Sequence, residues 1–185
     1  MRRNDPIFIL ILLTFLLLSP SKTLLAEGSL QEELQRAALY GKEEKWDFAF
    51  LELREILRQY PDGPHVSEVE FSIAEYLFQQ GSYSEAWETL KGCLSKFTPA
   101  STQFLLARVY LLLCQEKTNV NTPTTKLLLG ELKRELSSQK FFVAFDERRT
   151  RTWQSPLGIR YTLHEFVDRL EILKNEASFY TISLP

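Results

Sequence analysis

The sequence has little of what metal centres and disulfide-stapled folds require. Its 185 residues include only two histidines, His65 and His164, and only two cysteines, Cys93 and Cys114. Neither histidine has a cysteine or carboxylate cluster beside it at a spacing typical of metal ligands. Two cysteines do not make a disulfide scaffold, although an exported chain could form one bridge. The sequence therefore predicts no metal site, no cofactor and two unpaired thiols.

An excess of charge of one sign is also missing, since the formal net charge is −2 at pH 7. Non-specific nucleic-acid binding needs a strongly basic domain, so we expect no nucleic-acid partner. No nucleophile stands in a pattern with a base. Glu68, Glu70 and Glu75 could supply the carboxylate pair of a glycosidase, but no surrounding signature supports that interpretation. We expect a protein that is not an enzyme.

No hydrophobic run reaches the roughly 20 residues that a membrane-spanning helix needs. The longest is "IFILILLTFLLL", residues 7–18, which follows Met1-Arg2-Arg3. A basic start, a short apolar core and a small-residue exit predict a secretory signal over residues 1–26, cut after Ala26. Export to the periplasm or cell envelope would follow. If the segment is not cleaved, the chain would instead be a membrane-tethered architectural subunit.

The remaining chain repeats itself at an offset of 37 residues. In this overlay Ala37 meets Ala74, Trp46 meets Tyr83, Ala49 meets Ala86 and Leu53 meets Leu90. Small residues coincide with small ones and large apolar residues with large apolar ones. Self-similarity at a fixed period is typical of a repeat array.

Each repeat predicts two helices joined by a tight turn. A break at residues 41–44 separates a first helix from a second at about 47–60, which Pro61 and Pro64 end. The next repeat predicts helices near 66–79 and 84–97, with the turn at Gly81-Ser82 and a stop at Pro99. Small residues 12 apart, such as Ala74 and Ala86, would let the two helices approach closely.

The pattern weakens after residue 100. Ala107 and Tyr110 predict a third hairpin, whose second helix would begin at Thr122-Pro123 and use Gly130 as a close-contact point. Residues 141–145 could be a short strand or the end of a helix, and 146–158 a loop. The amphipathic stretch "YTLHEFVDRLEILKNE", residues 161–176, predicts a helix that caps the array.

These motifs resemble the tetratricopeptide repeat, through Ala74, Leu77, Gly81, Tyr83 and Ala86. The first repeat departs from it, with Glu44 where the turn glycine is usual. The lengthened spacing is similar to that of bacterial cell-envelope members of the family. The resemblance implies an all-α fold: a right-handed α-solenoid of about three helical hairpins over residues 27–140, followed by a loop and capping helix over 141–185.

The resemblance also implies a function, an exported scaffold or adaptor that binds a peptide or helix of another envelope protein. The concave groove would be lined by Leu34, Ala38, Lys42, Glu68, Phe71, Glu75, Phe78, Gln79, Ser101, Phe104, Arg108 and Leu111. Alternatively, the cap or the tail of the chain covers the phenylalanines. A secondary contact could lie at the basic cluster of Arg148, Arg149, Arg151 and Arg160 with Trp153, or this could be a solvated loop.

Overall fold

A computed structural model describes residues 22–99, 101–118, 123–137 and 149–184, with side chains from Ser29 onward. The chain divides into two compact units, residues 1–32 and 33–185, and the fold below is that of the second. The predicted signal core at 7–18, the segment 141–145, Thr122 and Arg148 all lie outside the described residues.

Six helices form the larger part of the described chain, and they are arranged as three successive hairpins. They are α1 (Lys22–Lys42), α2 (Trp46–Gln59), α3 (His65–Gln79), α4 (Tyr83–Leu94), α5 (Thr102–Thr118) and α6 (Pro123–Ser137). The structure confirms the helices predicted near 47–60, 66–79 and 84–97 to within three residues at each end. It also places Pro123 at the first position of α6, where a proline costs no hydrogen bond.

The 37-residue repeat is visible in the backbone of the two hairpin turns. The amide of Lys45 donates to the carbonyl of Tyr40, and 37 residues later the amide of Ser82 donates to the carbonyl of Leu77, both over 2.9 Å. The residue before each donor lies in the left-handed region, with φ of 59° at Glu44 and 78° at Gly81. Both turns therefore end their helix in the same way, with the six-residue bond of a Schellman motif.

Small residues sit where each hairpin closes. Ala37, Ala49, Ala74 and Ala86 are all completely buried, as expected for positions at which two helices approach most closely. In the third hairpin Ala107 is buried too, but Gly130 is not the close-contact point that we predicted. A Cβ atom added to Gly130 would meet nothing within 4 Å.

The predicted all-α solenoid with a capping helix is wrong, because the C-terminal segment forms a four-stranded antiparallel sheet. Its strands are β1 (Thr150–Gln154), β2 (Arg160–Glu165), β3 (Arg169–Lys174) and β4 (Ala177–Ser183), paired in the order β1-β2-β3-β4. The described fold is therefore mixed, with helices and a sheet. The apolar residues at 163, 166, 167, 170 and 173 suggested a helical face, but they fall on two strands and the turn between them.

The burial of the β2–β3 hairpin shows which periodicity governs it. Leu163, Leu170 and Ile172 are completely buried, whereas Val167 is 90% exposed. Residues 163 and 172 are directly paired across the two strands, and Phe166 and Arg169 close the turn through a backbone hydrogen bond of 2.8 Å. The alternation of a β-strand, in which every second side chain is buried, explains these burials. A single helix would instead bury Val167 together with Leu163 and Leu170.

Candidate functional site: the covered inner face and the open outer face

The sheet covers the helical face that was predicted to be an open groove, here called the inner face. Phe71 on α3 lies at its centre and is completely buried. Its ring lies edge-on to Tyr110 of α5 and to Trp153 of β1, with centroids 5.7 and 5.4 Å away. Trp153 in turn stacks on Tyr161 of β2, with centroids 6.0 Å apart. Aromatic rings of helices and strands therefore form one continuous core.

A chain of hydrogen bonds crosses this core from helix to sheet. The ammonium group of Lys174 donates to the hydroxyl of Tyr110 over 3.0 Å, and the hydroxyls of Tyr110 and Tyr161 lie 2.7 Å apart. The hydroxyl of Tyr161 donates to the carboxyl group of Glu75. Glu75, Tyr110 and Tyr161 are completely buried. We call these four residues the interlayer network, because α3 and α5 supply two of them and β2 and β3 the other two.

Burial dominates the electrostatics of the interlayer network. Removal from water raises the pKa of Glu75 to about 7, while the charge of Lys174 and the hydrogen bond from Tyr161 act in the opposite direction. Burial lowers the pKa of Lys174. The hydroxyls of Ser72 and Ser155 also favour the ionised carboxyl. Neither hydroxyl has a hydrogen-bond partner, however, and nor does the second carboxyl oxygen of Glu75. The hydrogen bond from Tyr161 is therefore the direct contact of the buried carboxyl group.

A buried carboxyl group with a raised pKa can mark a catalytic site when it lies in a cleft. Here it lies between two packed layers, and a substrate could reach it only if the sheet left the helices. The arrangement therefore favours a structural role, in which a proton-sensitive contact joins the two layers. Sequence reasoning placed Glu75 in the groove but missed Tyr161 and Lys174. The available signal was the alternation of Tyr161, Leu163 and Glu165, which is the period of a β-strand and puts these side chains on one face of β2.

Two glycines allow the β1–β2 loop to touch the end of α1. A Cβ atom on Gly41 would lie 1.8 Å from the carbonyl oxygen of Leu157, and one on Gly158 would lie 2.6 Å from the carbonyl oxygen of Ala38. Gly158 also has a φ of 80°, which favours glycine. Because real Cβ atoms do not approach so closely, backbone packs directly on backbone here, and this contact sets the position of the sheet over the helices.

The predicted groove residues therefore lie in different environments. Phe71, Glu75, Arg108 and Leu111 are buried; Leu34, Ala38, Glu68, Phe78, Ser101 and Phe104 are half-buried; Lys42 and Gln79 are exposed. Phe78 packs edge-on against Tyr110 with centroids 5.2 Å apart, so it belongs to the covered core. The groove is open only at its margins.

Arg108 has an internal role in the third hairpin. Its guanidinium forms ion pairs with Glu131, over 3.5 Å, and with Glu135, both on α6. It also lies 5.6 Å from the centroid of the Phe104 ring. The Arg108 side chain is only 8% exposed, and it therefore ties α5 to α6 rather than facing a partner.

The predicted secondary contact does not form one basic surface. Trp153 packs into the interlayer core, as described above, and Arg151 is partly buried, which lowers its pKa. Arg149 is exposed and lies 3.6 Å from a carboxyl oxygen of Glu165. Arg160 lies 4.0 Å from Glu176. These side chains are therefore distributed between the core and separate ion pairs.

The outer face of the first hairpin, opposite its buried side, carries an unexpected apolar surface. Leu39 of α1 is 52% exposed, and Phe48 and Leu51 of α2 are 60% and 62% exposed. We call these three residues the outer patch. Phe48 lies 5.8 Å from the Tyr40 ring, centroid to centroid. A groove of about 400 Å³ lies between α2, α3 and α4.

A second, more polar cavity of about 470 Å³ lies where α1 and α2 meet the turns of the sheet. Lys42, Glu44, Arg160 and Glu176 bring two positive and two negative side chains to its walls, and Trp46 supplies an aromatic one. Lys42, one of the predicted groove residues, is exposed and lines this cavity. The balanced charge does not favour an ion of either sign.

The histidines and cysteines are accounted for by local contacts. His65 shares a hydrogen bond of 3.0 Å with the carbonyl of Tyr60, and His164, which lies in β2 rather than at the start of a helix, contacts Thr150 over 3.2 Å. Cys93 and Cys114 are buried, unpaired thiols. Among the described residues, no three histidine, cysteine or acidic side chains form a group that could hold a metal ion.

Comparison with known proteins adds no assignment. No protein-family model, curated protein or solved structure matches this chain. The likeness to tetratricopeptide repeats therefore stays a resemblance of motifs. Within the described ranges, no helix has both the length and the hydrophobicity that crossing a membrane requires.

Proposed function

We propose that this chain is an exported interaction module of the bacterial cell envelope, a scaffold or adaptor without enzymatic activity, which binds another envelope protein through the outer face of its first hairpin. The outer patch carries this proposal. Apolar side chains that stay exposed on a soluble surface are typical of sites that contact another protein.

The second hairpin provides an internal comparison for the outer patch. At the positions 37 residues after Phe48 and Leu51 the chain has Glu85 and Glu88, and both are exposed. The two hairpins share their turn geometry and their buried alanines, so the fold does not require apolar residues at positions 48 and 51. Apart from the contact of Phe48 with Tyr40, most of both side chains stays exposed, and we infer that they are present for contact with a partner.

The inner face supports the proposal less well than the resemblance implied. Its central residues, Phe71 and Glu75, are covered by the sheet of the same chain, so a partner would have to displace four strands to reach them. Binding at the inner face is therefore confined to its open margin at Lys42 and Gln79. The location in the envelope is supported by the signal-like residues 7–18 alone.

The test replaces the outer patch with the residues of the second hairpin. A Phe48→Glu/Leu51→Glu variant should keep its helicity and melting temperature, because both side chains are exposed. It should lose the partner that the wild-type chain captures from envelope extracts. Leu127→Glu is the matched control, since Leu127 on α6 is equally exposed at 63% but lies outside the patch. Recovery of the same partner by the double variant would contradict the proposal.

A further inference from the structure

The groove beside the outer patch has an apolar floor. Phe50 and Leu57 of α2 and Ile73 and Leu77 of α3 line it, and all four are half-buried. Phe50 also stacks on Tyr76 of α3, with centroids 4.3 Å apart, and this contact joins the two helices beside the groove. A cavity of about 400 Å³ is at the small end of the range for ligand sites, enough for a few side chains.

The two rims of this outer groove carry opposite charges. Arg54 and Arg58 of α2 stand on one side and Glu85 of α4 on the other. Arg58 is already paired with Glu55, over 2.5 Å. Within the described part of the chain Arg54 has no carboxylate partner. Its guanidinium lies 5.8 Å from the centroid of the Phe50 ring, above the groove floor. Arg54 is therefore the positive charge that is available to a ligand in the groove.

We propose that the outer groove binds an amphipathic helix of a partner protein, with apolar side chains on the groove floor, a carboxylate facing Arg54 and a basic side chain facing Glu85. This inference rests on the proposed function and names the kind of segment that the partner presents. A groove bounded by helices fits a helix whose apolar residues recur at three- and four-residue steps. The exposed Leu51, next to Arg54 on the helix surface, extends the contact area.

The opposite charges of the two rims argue against other ligands in the outer groove. An anionic lipid surface would meet Arg54 but would be repelled by Glu85 and Glu55. A wholly apolar ligand would leave Arg54 without a counter-charge and would gain nothing from either rim. A segment with one acidic and one basic flank satisfies both sides, and the charges also fix its direction in the groove.

A display selection tests the proposal on the full chain. The probe is a phage library of 18-residue helices with a fixed stripe of leucines, in which each flanking position is either glutamate or lysine. Enriched peptides should carry glutamate on one flank and lysine on the other. Arg54→Glu should weaken the best peptide at least tenfold, and exchanging the facing glutamate of that peptide for lysine should restore its affinity. Lys91→Glu, at the equivalent position 37 residues later, should change the affinity less than twofold.

Several outcomes would overturn the inference. One is enrichment no greater than that on the Ile73→Asp chain, whose groove floor carries a charge, provided that circular dichroism shows this variant folded. Another is enrichment of peptides without charge asymmetry, which would point to a merely apolar site. A third is an affinity unchanged by Arg54→Glu. If Phe48→Glu/Leu51→Glu abolishes partner capture while the selection fails, the proposed function stands and the helix inference falls.

Discussion

The hydroxyl of Tyr161 on β2 donates a hydrogen bond to the carboxyl group of Glu75 on α3, 86 residues earlier in the chain. The bond lies in the core between sheet and helices, out of contact with water. It replaces part of the hydration that Glu75 loses on burial, and it requires the sheet to sit in one position. A titratable group thus holds two layers together, and this makes the stability of the fold sensitive to pH.

Glu75→Gln should make the protein less sensitive to pH. The folded-state pKa of about 7 lies above the ordinary value of 4.5, so the unfolded chain ionises first as the pH rises. The free energy of unfolding of the wild type therefore falls between about pH 4.5 and 7 and stays low above that window. Glutamine keeps a hydrogen-bond acceptor for Tyr161 without this penalty. The difference in free energy of unfolding between Glu75→Gln and the wild type should therefore be about 2 kcal/mol more favourable to the variant at pH 8 than at pH 5.

Urea unfolding at the two pH values measures this difference. Glu68→Gln is the control, because Glu68 lies two turns earlier on α3 and is only half-buried, with a hydrogen bond of 2.7 Å from Gln103. A Glu75→Gln effect that changes no more between the two pH values than the Glu68→Gln effect would show that the Glu75 carboxyl group is not the source of the sensitivity.

Glu44→Gly should stabilise the protein, although it removes a side chain. Glu44 is held at a φ of 59°, a left-handed conformation that costs a residue other than glycine roughly 1 kcal/mol. Gly81→Ala, at the equivalent position one repeat later, should destabilise by a similar amount. Chemical denaturation of both variants gives the comparison. Destabilisation by Glu44→Gly would mean that the Glu44 side chain makes a contact worth more than the strain.

Gly41→Ala should destabilise the protein, whereas Gly130→Ala should stabilise it. The new methyl group on Gly41 would collide with the carbonyl oxygen of Leu157, so the β1–β2 loop would have to move, at a cost of roughly 1–3 kcal/mol. Gly130 has open space around it within a helix, and alanine there should stabilise by up to about 1 kcal/mol. Melting temperatures measure both effects. Equal tolerance at the two positions would argue against the direct contact between the loop and α1.

Cys93 and Cys114 should both titrate as free thiols after unfolding without a reductant. In the folded protein they should react slowly with a thiol reagent, because burial raises the pKa of each to about 12 and leaves almost no thiolate at neutral pH. The measurement is the reaction rate with and without denaturant. A monomeric protein with no free thiols would show a disulfide instead.

The helical part could be predicted because its information is local. Ala74 and Ala86 mark the close approach within one hairpin, and Gly81 marks its turn, all within a dozen residues. The overlay also placed Glu44 at the turn position of the first hairpin, and the structure gives it the same left-handed backbone as Gly81. Gly130 shows the limit of this reasoning, since one sequence pattern cannot distinguish a packed glycine from an exposed one.

The sheet could not be predicted from the same kind of signal. Leu163, Leu170 and Leu173 also fit a helical spacing, and the choice between the two periods depends on what the segment packs against. The β2–β3 hairpin contacts Tyr110 of α5, far away in sequence, through Tyr161 and Lys174. Leu163 and Ile172 are buried in this arrangement, and Val167 lies exposed at a turn. The interlayer network was missed for the same reason, because Tyr161 and Lys174 acquire partners only after the sheet is placed.

The strands that cover Phe71 are synthesised after the helices that they cover. A ribosome completes α3 and α4 long before Trp153 and Tyr161 leave it, so the aromatic face of the helices stays uncovered until these strands are made. Contacts so distant in sequence form slowly, because a long loop has to close before they contribute. During that interval the nascent chain exposes an aromatic surface that is buried in the folded protein. Transiently exposed apolar surfaces of this kind are bound by chaperones. The demand for a holding chaperone should therefore end when the sheet docks.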